Sequence, residues 1–216
     1  MFKQMLALLV VLGMGTTPAQ ATAPLFLSPA MDLAGKAFTP ERLEGRYTCV
    51  IVANRENADA AAKVGQELVY NFSSNRNFAF VTVADLRGVP DFAHGLATTM
   101  IEEQLTAARA QLKERFRQNG RVYEPGLWVY IPDWEGTVTL DLLKASPLAE
   151  YWIFDRELTQ LARFERGAIE RNQKTLRSRV QFFILDRKGK IKHHFQDVGA
   201  ASTVIATLRV LAQALK

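Results

Sequence analysis

The stretch GRYTCVIVANRENADAA, residues 45–61, decides which fold the chain can adopt. Its apolar run, residues 47–53, predicts a buried strand. A polar turn follows, and then an alanine-rich helix that Asn54 or Asn57 can cap, because a short side-chain oxygen accepts from the free N–H groups of a first helical turn. The helix is predicted to bury one stripe at a spacing of four residues: Ala60, Val64, Leu68 and Phe72.

The carboxyl end of such a strand is where several classes of α/β protein place their ligand-binding and reactive groups. The side chains available there are those of Asn54, Arg55, Glu56, Asn57 and Asp59. This polar turn is therefore the first candidate site.

A second strand–helix unit follows the first. FAFVTVA, residues 78–84, predicts another buried strand. A long helix comes next, after Pro90 and Asp91, and Asn119-Gly120 ends it. Its predicted buried face comprises Ile101, Leu105, Ala108, Leu112 and Phe116. Two such units in succession predict parallel strands joined by crossover helices.

The second half of the chain has a different pattern. Residues 128–140 and 180–195 each predict two strands joined by an Asp-x-x-Gly turn, the second with Asp186 and Gly189 in the turn. A final helix is predicted to place Val204, Leu208, Leu211 and Leu215 against the sheet.

The first 21 residues resemble an export signal. Lys3 supplies the positive start, residues 5–15 are a short apolar core, and Ala19 and Ala21 fit a small-x-small cleavage site. We expect cleavage after Ala21, a periplasmic location, and one domain over residues 22–216. A composition of 48% hydrophobic and 23% charged residues suits one globular core.

Charge is unevenly distributed along the chain. Residues 22–108 contain 7 basic and 10 acidic residues, and residues 109–216 contain 19 and 12. A basic segment lies ahead of the last predicted hairpin, within an insert at about residues 144–179. Its candidate binding patch is Arg163, Arg166, Arg171, Lys174, Arg177 and Arg179. An exported protein does not meet nucleic acid, so the expected partners are a periplasmic protein or an anionic membrane surface.

Three local matches resemble the thioredoxin-like (redoxin) superfamily. AFTPERLEGRYTCVIVA is similar to the start of a redoxin domain, DWEGTV resembles the turn of its penultimate strand, and FFILDRKGKI resembles its closing hairpin. The resemblance implies a three-layer α/β/α fold with a central mixed sheet and the basic segment inserted before the last hairpin. It is strongest to an exported group of undetermined function that also lacks the redox motif.

The resemblance implies Cys-x-x-Cys at the turn after the first core strand, where a helix N-terminus lowers the thiol pKa. Here that turn is NRENAD, and Cys49 is the one cysteine of the sequence. Cys49 lies inside the predicted strand, so we expect a buried, inert thiol and no thiol–disulfide exchange. The family's cis-proline position falls near Val180, which is not proline.

Other groups of histidine and carboxylate residues give weaker evidence for a functional site. His193 and His194 are adjacent on a predicted strand, point to opposite faces and cannot chelate one metal together, so we interpret them as an exposed edge-strand pair. Asp133, Glu135 and Asp141 could form a calcium site, although turn geometry already explains Asp133. We expect no metal and no cofactor.

Three functions remain open. The first is a non-catalytic binding or accessory protein that uses the polar turn or the basic segment. The second is a non-thiol enzyme with Arg55 as anion-binding group and Glu56 as acid–base group. The third is a binder of anionic membrane surfaces. A cavity beside Arg55 would favour the enzyme, and an exposed apolar face would favour binding.

Overall fold

The computed structural model describes residues 30–124, 126–146 and 178–214. The predicted signal segment and most of the predicted insert lie outside these residues, as do Arg163, Arg166, Arg171, Lys174 and Arg177. Within the described ranges, none of the helices combines the length and the apolar character needed to cross a bilayer.

A five-stranded mixed sheet forms the centre of the molecule. Two short strands, β1 (Ala30–Met31) and β2 (Ala37–Phe38), pair separately from it. The sheet strands are β3 (Tyr47–Asn54), β4 (Phe78–Asp85), β5 (Leu127–Asp133), β6 (Gln181–Leu185) and β7 (Ile191–Gln196). Their order is β5-β4-β3-β6-β7. Strands β5, β4 and β3 run parallel to one another, and β6 runs antiparallel to both β3 and β7.

In the described ranges, three helices cover one face of the sheet. They are α1 (Ala58–Phe72), α2 (His94–Gln118) and α4 (Ala201–Gln213). The connections β3-α1-β4 and β4-α2-β5 move across the sheet in the same direction, and right-handed crossovers then place both helices on the same side. Leu68 of α1, Phe116 of α2 and Leu208 of α4 accordingly share one buried cluster.

The opposite face is covered by α3 (Thr137–Ala145) and by the segment that carries β1 and β2. Leu142 and Leu143 of α3 pack there with Phe38 and with Val50 and Val52 of β3. Alternate residues of β3, Cys49 and Ile51, face the other cluster. The predicted three-layer α/β/α arrangement with a mixed central sheet is therefore confirmed.

The hairpin predicted over residues 128–140 is wrong. Its first strand is β5, but its second half is the start of α3. Val138 and Leu142 are buried four residues apart, which is a helical period and not the alternation of a strand. The local strand preference of Val and Thr is overridden by this tertiary burial. DWEGTV is thus a strand-to-helix connection and not a hairpin turn.

The closing hairpin is confirmed. β6 and β7 pair antiparallel, and Asp186 stands in the turn between them. Its Oδ1 accepts the backbone N–H groups of Lys188 and Lys190 at 2.9 and 3.0 Å. Gly189 supplies the positive φ of 77° that this tight turn requires.

Helix α2 differs from its prediction in burial. Leu112 and Phe116 are buried, but Ile101, Leu105 and Ala108 are only partly buried. Its 25 residues span about 37 Å, whereas the 8 residues of β4 span about 26 Å. The helix is about two turns longer than the strand beside it, so its first half lacks sheet to pack on.

Candidate functional site

The polar turn after β3 is held by its own asparagine side chains. Asn54 Oδ1 accepts from the Glu56 N–H at 2.9 Å, and Asn57 Oδ1 accepts from the Asn54 N–H at 2.8 Å. Asn57 occupies the N-cap position of α1, but its side chain makes no capping bond to the helix. The predicted cap is therefore wrong: the asparagines fold the turn back on the strand.

Asn57 also connects the turn to the segment ahead of β6. Its Nδ2 donates to the Ser178 carbonyl at 2.9 Å, across 121 residues of sequence. Val180, the residue at the family's cis-proline position, is buried directly before β6, and the described residues contain no cis peptide bond. The edge at which the resemblance implies substrate docking is thus bridged by a side chain.

Arg55, Glu56 and Asp59 are exposed on this turn. None of the three lines the pocket that lies beside them. The sequence placed all five polar residues in one candidate site, and the structure separates the two inward-facing asparagines from these three outward-facing charged side chains.

Three polar side chains meet at the carboxyl ends of the parallel strands. In the sheet register Asn54 lies opposite Asp85, and Asp85 lies opposite Asp133. Sequence reasoning missed Asp85, although a signal was available, since it is the first charged residue after the apolar run of β4. The candidate site therefore extends across β3, β4 and β5.

The two carboxylates of this row already have protein partners. Asp85 accepts from Arg87 Nε at 2.8 Å and pairs with a second guanidinium nitrogen of Arg87. Asp133 is buried and accepts the N–H groups of Val138 and Thr139 at 3.3 and 2.8 Å. A carboxylate at this position stabilises the start of α3 through the helix dipole. Both acids therefore have structural roles.

The calcium hypothesis gains no support. No group of three or more potential metal ligands occurs in the part of the chain that the structure describes. Glu135 is exposed while Asp133 is turned into the start of α3.

A small pocket opens at the same edge of the sheet. Its lining is Val52, Ala53, Asn54, Asp85, Thr139, Leu143, Arg179 and Gln181. It combines Asn54 from the predicted turn with Arg179 from the predicted basic patch, two sets that the sequence left unconnected. Its volume of about 10 Å³ accommodates about one water molecule, which is far below the volume of a substrate site.

Cys49 lies in the interior, as predicted. It is fully buried in β3, between Phe80 of β4 and Ile184 of β6 in the sheet register. Burial raises the pKa of its thiol to about 12. Because the thiolate is the reactive form, burial disfavours reaction of this thiol at neutral pH.

His194 is part of a polar network that the sequence did not reveal, in which Ser146 and Gln181 are buried and His194 is partly buried. One ring nitrogen, Nδ1, lies 2.6 Å from Ser146 Oγ, and Nε2 lies 2.8 Å from Gln181 Oε1. The ring stacks on Phe183 at 4.2 Å. The interpretation of an exposed histidine pair is therefore wrong for His194 and holds only for His193, which is exposed.

The protonation of this network follows from its partners. An amide oxygen can only accept, so Nε2 carries the proton and Nδ1 accepts from the Ser146 hydroxyl. Burial lowers the pKa of His194 to about 4, which keeps the ring neutral. Because its hydroxyl donates to a histidine, Ser146 resembles an activated serine nucleophile. Ser146 is itself buried, however. The network joins the end of α3 to β6 and β7.

An apolar face is exposed beside the candidate site. Phe92, Leu96 and Met100 follow one another at a spacing of four residues and are 91%, 68% and 54% exposed. They lie on the first half of α2 and on the turn just before it. We call this set the α2 face.

The strand order, strand directions and flanking helices define a thioredoxin-like α/β fold. Asparagine, arginine and carboxylate side chains stand where a reactive thiol stands in redox-active proteins of that fold. No protein-family model matches the sequence, and no curated protein matches it significantly.

Solved structures similar to this chain include peroxiredoxin Q of Xanthomonas campestris, with 10% identity over 87% of this chain and 94% of that one and a TM-score of 0.47. A secreted disulfide oxidoreductase of Mycobacterium tuberculosis has 10% identity over 80% and 85%, with a TM-score of 0.37. The exposed lipoprotein thioredoxin of Streptococcus pneumoniae has 12% identity over 84% and 97%, with a TM-score of 0.42. Because these TM-scores are all below 0.5, the fold assignment rests on the strand order and strand directions of the sheet.

Proposed function

We propose that this protein is an exported, thioredoxin-like binding module that holds a protein partner at the carboxyl edge of its sheet without thiol chemistry. The observation that carries the proposal is the state of Cys49. The single thiol of the sequence is buried inside β3 with its pKa raised to about 12, and the turn at the start of α1 carries no thiol.

The described residue of the basic patch, Arg179, lies near the polar turn. Arg179 lines the same pocket as Asn54, and Ser178 accepts a hydrogen bond from Asn57. Residues 178 and 179, at the end of the basic segment, therefore lie beside the polar turn. This proximity supports one continuous binding surface in place of two separate ones.

The non-thiol enzyme finds less support. Arg55 and Glu56 are exposed and lie outside the pocket lining, and the pocket has room for about one water molecule. Exposed charged and apolar side chains around a closed edge suit recognition of a macromolecule better than conversion of a small substrate.

Export forms the second part of the proposal. It rests on the signal pattern of residues 1–21. Mass spectrometry of the protein from a periplasmic fraction tests it, with a mature chain starting at Thr22 as the expected result. A chain that retains residues 1–21 in the membrane fraction contradicts it.

The proposed absence of thiol chemistry is tested by insulin reduction and by peroxide turnover with the purified protein. We expect both rates to equal those of the Cys49→Ser variant. A rate that depends on Cys49 refutes the proposal.

The binding part is tested by affinity capture from periplasmic extract. The wild type is compared with a variant in which Arg163, Arg166, Arg171 and Arg177 are all changed to Ser. A partner that is lost only in the variant assigns the interface to the basic segment. Binding to anionic vesicles that falls steeply as salt is raised favours the membrane-surface alternative instead.

A further inference from the structure

The α2 face consists of apolar side chains that the described protein leaves uncovered. Its three residues lie along two helical turns, about 12 Å, and each is more than half exposed. Single exposed apolar residues are ordinary on protein surfaces, but a row aligned at helical spacing is a feature of interaction sites.

The start of α2 is held in place by contacts with neighbouring residues. The His94 ring stacks on Trp134 with centroids 3.9 Å apart and a 19° angle between the planes. His94 Nε2 also lies 3.0 Å from the Val89 carbonyl oxygen. At the other end of the helix, Leu112 and Phe116 are buried in the core. Both ends of α2 are thus fixed, so the face is preformed and binding costs little ordering entropy.

The segment that carries the α2 face has charged side chains of one sign. Residues 88–108 contain Asp91, Glu102 and Glu103 and no lysine or arginine. The Asp91 side chain is fully exposed, and both glutamates are exposed on the helix. The face is therefore an apolar row within a segment of net charge −3, in a chain whose overall charge is +5.

We propose that the α2 face docks an amphipathic segment of a partner protein, with apolar side chains on one face and lysine or arginine beside them. The apolar face of such a segment packs against Phe92, Leu96 and Met100, in the manner of amphipathic helices that recognise apolar surfaces. Its cations lie opposite Asp91, Glu102 and Glu103. This inference rests on the proposed binding function and specifies the chemistry of the partner.

The charge also decides against two other occupants. A second copy that used the same face in a two-fold interface would bring two acidic segments together. An anionic lipid surface would be repelled by the same three carboxylates. A basic, apolar protein segment is the occupant that both features of the face attract.

The test uses two synthetic peptides of 18 residues, each labelled with fluorescein. One has leucine at the positions of one helical face and lysine elsewhere, and the other has glutamate in place of lysine. Fluorescence anisotropy with the purified full chain is expected to show binding of the lysine peptide at least tenfold tighter than that of the glutamate peptide. Equal affinities overturn the charge argument.

Variants then locate the site. Leu96→Ser combined with Met100→Ser is expected to weaken binding of the lysine peptide at least tenfold. The matched control is Val210→Ser on α4, which removes a valine that is 64% exposed and is expected to leave the affinity unchanged. Glu102→Lys combined with Glu103→Lys is expected to reverse the order of the two peptides. Circular dichroism checks that each variant is folded, and equal loss in the α4 control overturns the assignment.

Two further outcomes contradict the chosen occupant. Sedimentation that shows a dimer abolished by the Leu96 and Met100 changes assigns the face to a second copy. Binding to vesicles of phosphatidylserine that the same changes abolish assigns it to lipid. These results are distinguishable from failure of the proposed function, because Cys49-dependent reduction of insulin refutes that function whatever the peptides do.

Discussion

Acidification is expected to destabilise this fold through His194. The ring is held neutral between Ser146 and Gln181 and stacked on Phe183, and burial lowers its pKa from 6.5 to about 4. The unfolded chain binds the proton more readily than the folded one. The contribution of the neutral ring is therefore fully present above pH 6.5 and is lost as pH falls toward 4.

The magnitude follows from the difference between the two pKa values. Between pH 7 and pH 4.5 the linkage relation gives a loss of about 2 kcal/mol in the free energy of unfolding. A domain whose total stability is about 5–15 kcal/mol loses a substantial fraction of it. The carboxylates with lowered pKa values, Asp32 and Asp186, titrate below this window and contribute mainly at lower pH.

The assay is urea denaturation at pH 7 and pH 4.5 for the wild type and His194→Gln. Glutamine retains an amide that can reach one of the partners but cannot titrate. The variant is expected to be less stable at pH 7 and to lose about 2 kcal/mol less than the wild type on acidification. If both proteins lose the same amount, His194 is not a buried neutral histidine and the reasoning is refuted.

The remaining predictions concern the core and the start of α3. Native Cys49 is expected to react with a disulfide reagent at least about a thousandfold more slowly than the urea-unfolded chain, and comparable rates measured by absorbance contradict its burial. Gly136→Ala is expected to lower the thermal midpoint more than Gly35→Ala does. Both glycines have φ of +72°, but only at Gly136 would a Cβ lie 2.0 Å from Arg87 Cδ; in an Arg87→Ala background, which lacks that side chain, Gly136→Ala is expected to lower the midpoint no more than Gly35→Ala does. Asp133→Ala is expected to cost about 0.5–2 kcal/mol in urea denaturation by removing the cap of α3, and an unchanged midpoint opposes that role.

The parts of the fold that the sequence predicted correctly are those that local pattern determines. The apolar runs of β3 and β4 are buried on both faces, which makes them continuous and easy to recognise. Asp186 and Gly189 are residue types that favour tight turns, so this turn could be recognised from the sequence. The β5–α3 connection was predicted wrongly because Val and Thr near residue 138 favour a strand locally, whereas their burial on a helix depends on the sheet beneath them.

The site was predicted only where its residues are close in sequence. Asn54 and Asn57 could be identified because they follow a strand directly. The Ser146, Gln181 and His194 network joins positions 48 and 13 residues apart, and no spacing rule connects them. The pairing of Asn54 with Arg179 in one pocket likewise depends on β6 lying beside β3, which only the tertiary structure provides.

The position of β5 gives a physical reason why the described part of the carboxyl edge has little open space. Because the chain forms β5 beyond β4 before it returns across the sheet, α3 covers the opposite face, and its Thr139 and Leu143 line the pocket beside Asn54. The Asn57 bridge to Ser178 closes the same edge from the other side. Among the described residues, the pocket at this edge is left with room for about one water molecule. Arg55 and Glu56 on the turn and the apolar row on α2 are exposed, so the proposed protein partner would contact these groups and not the pocket.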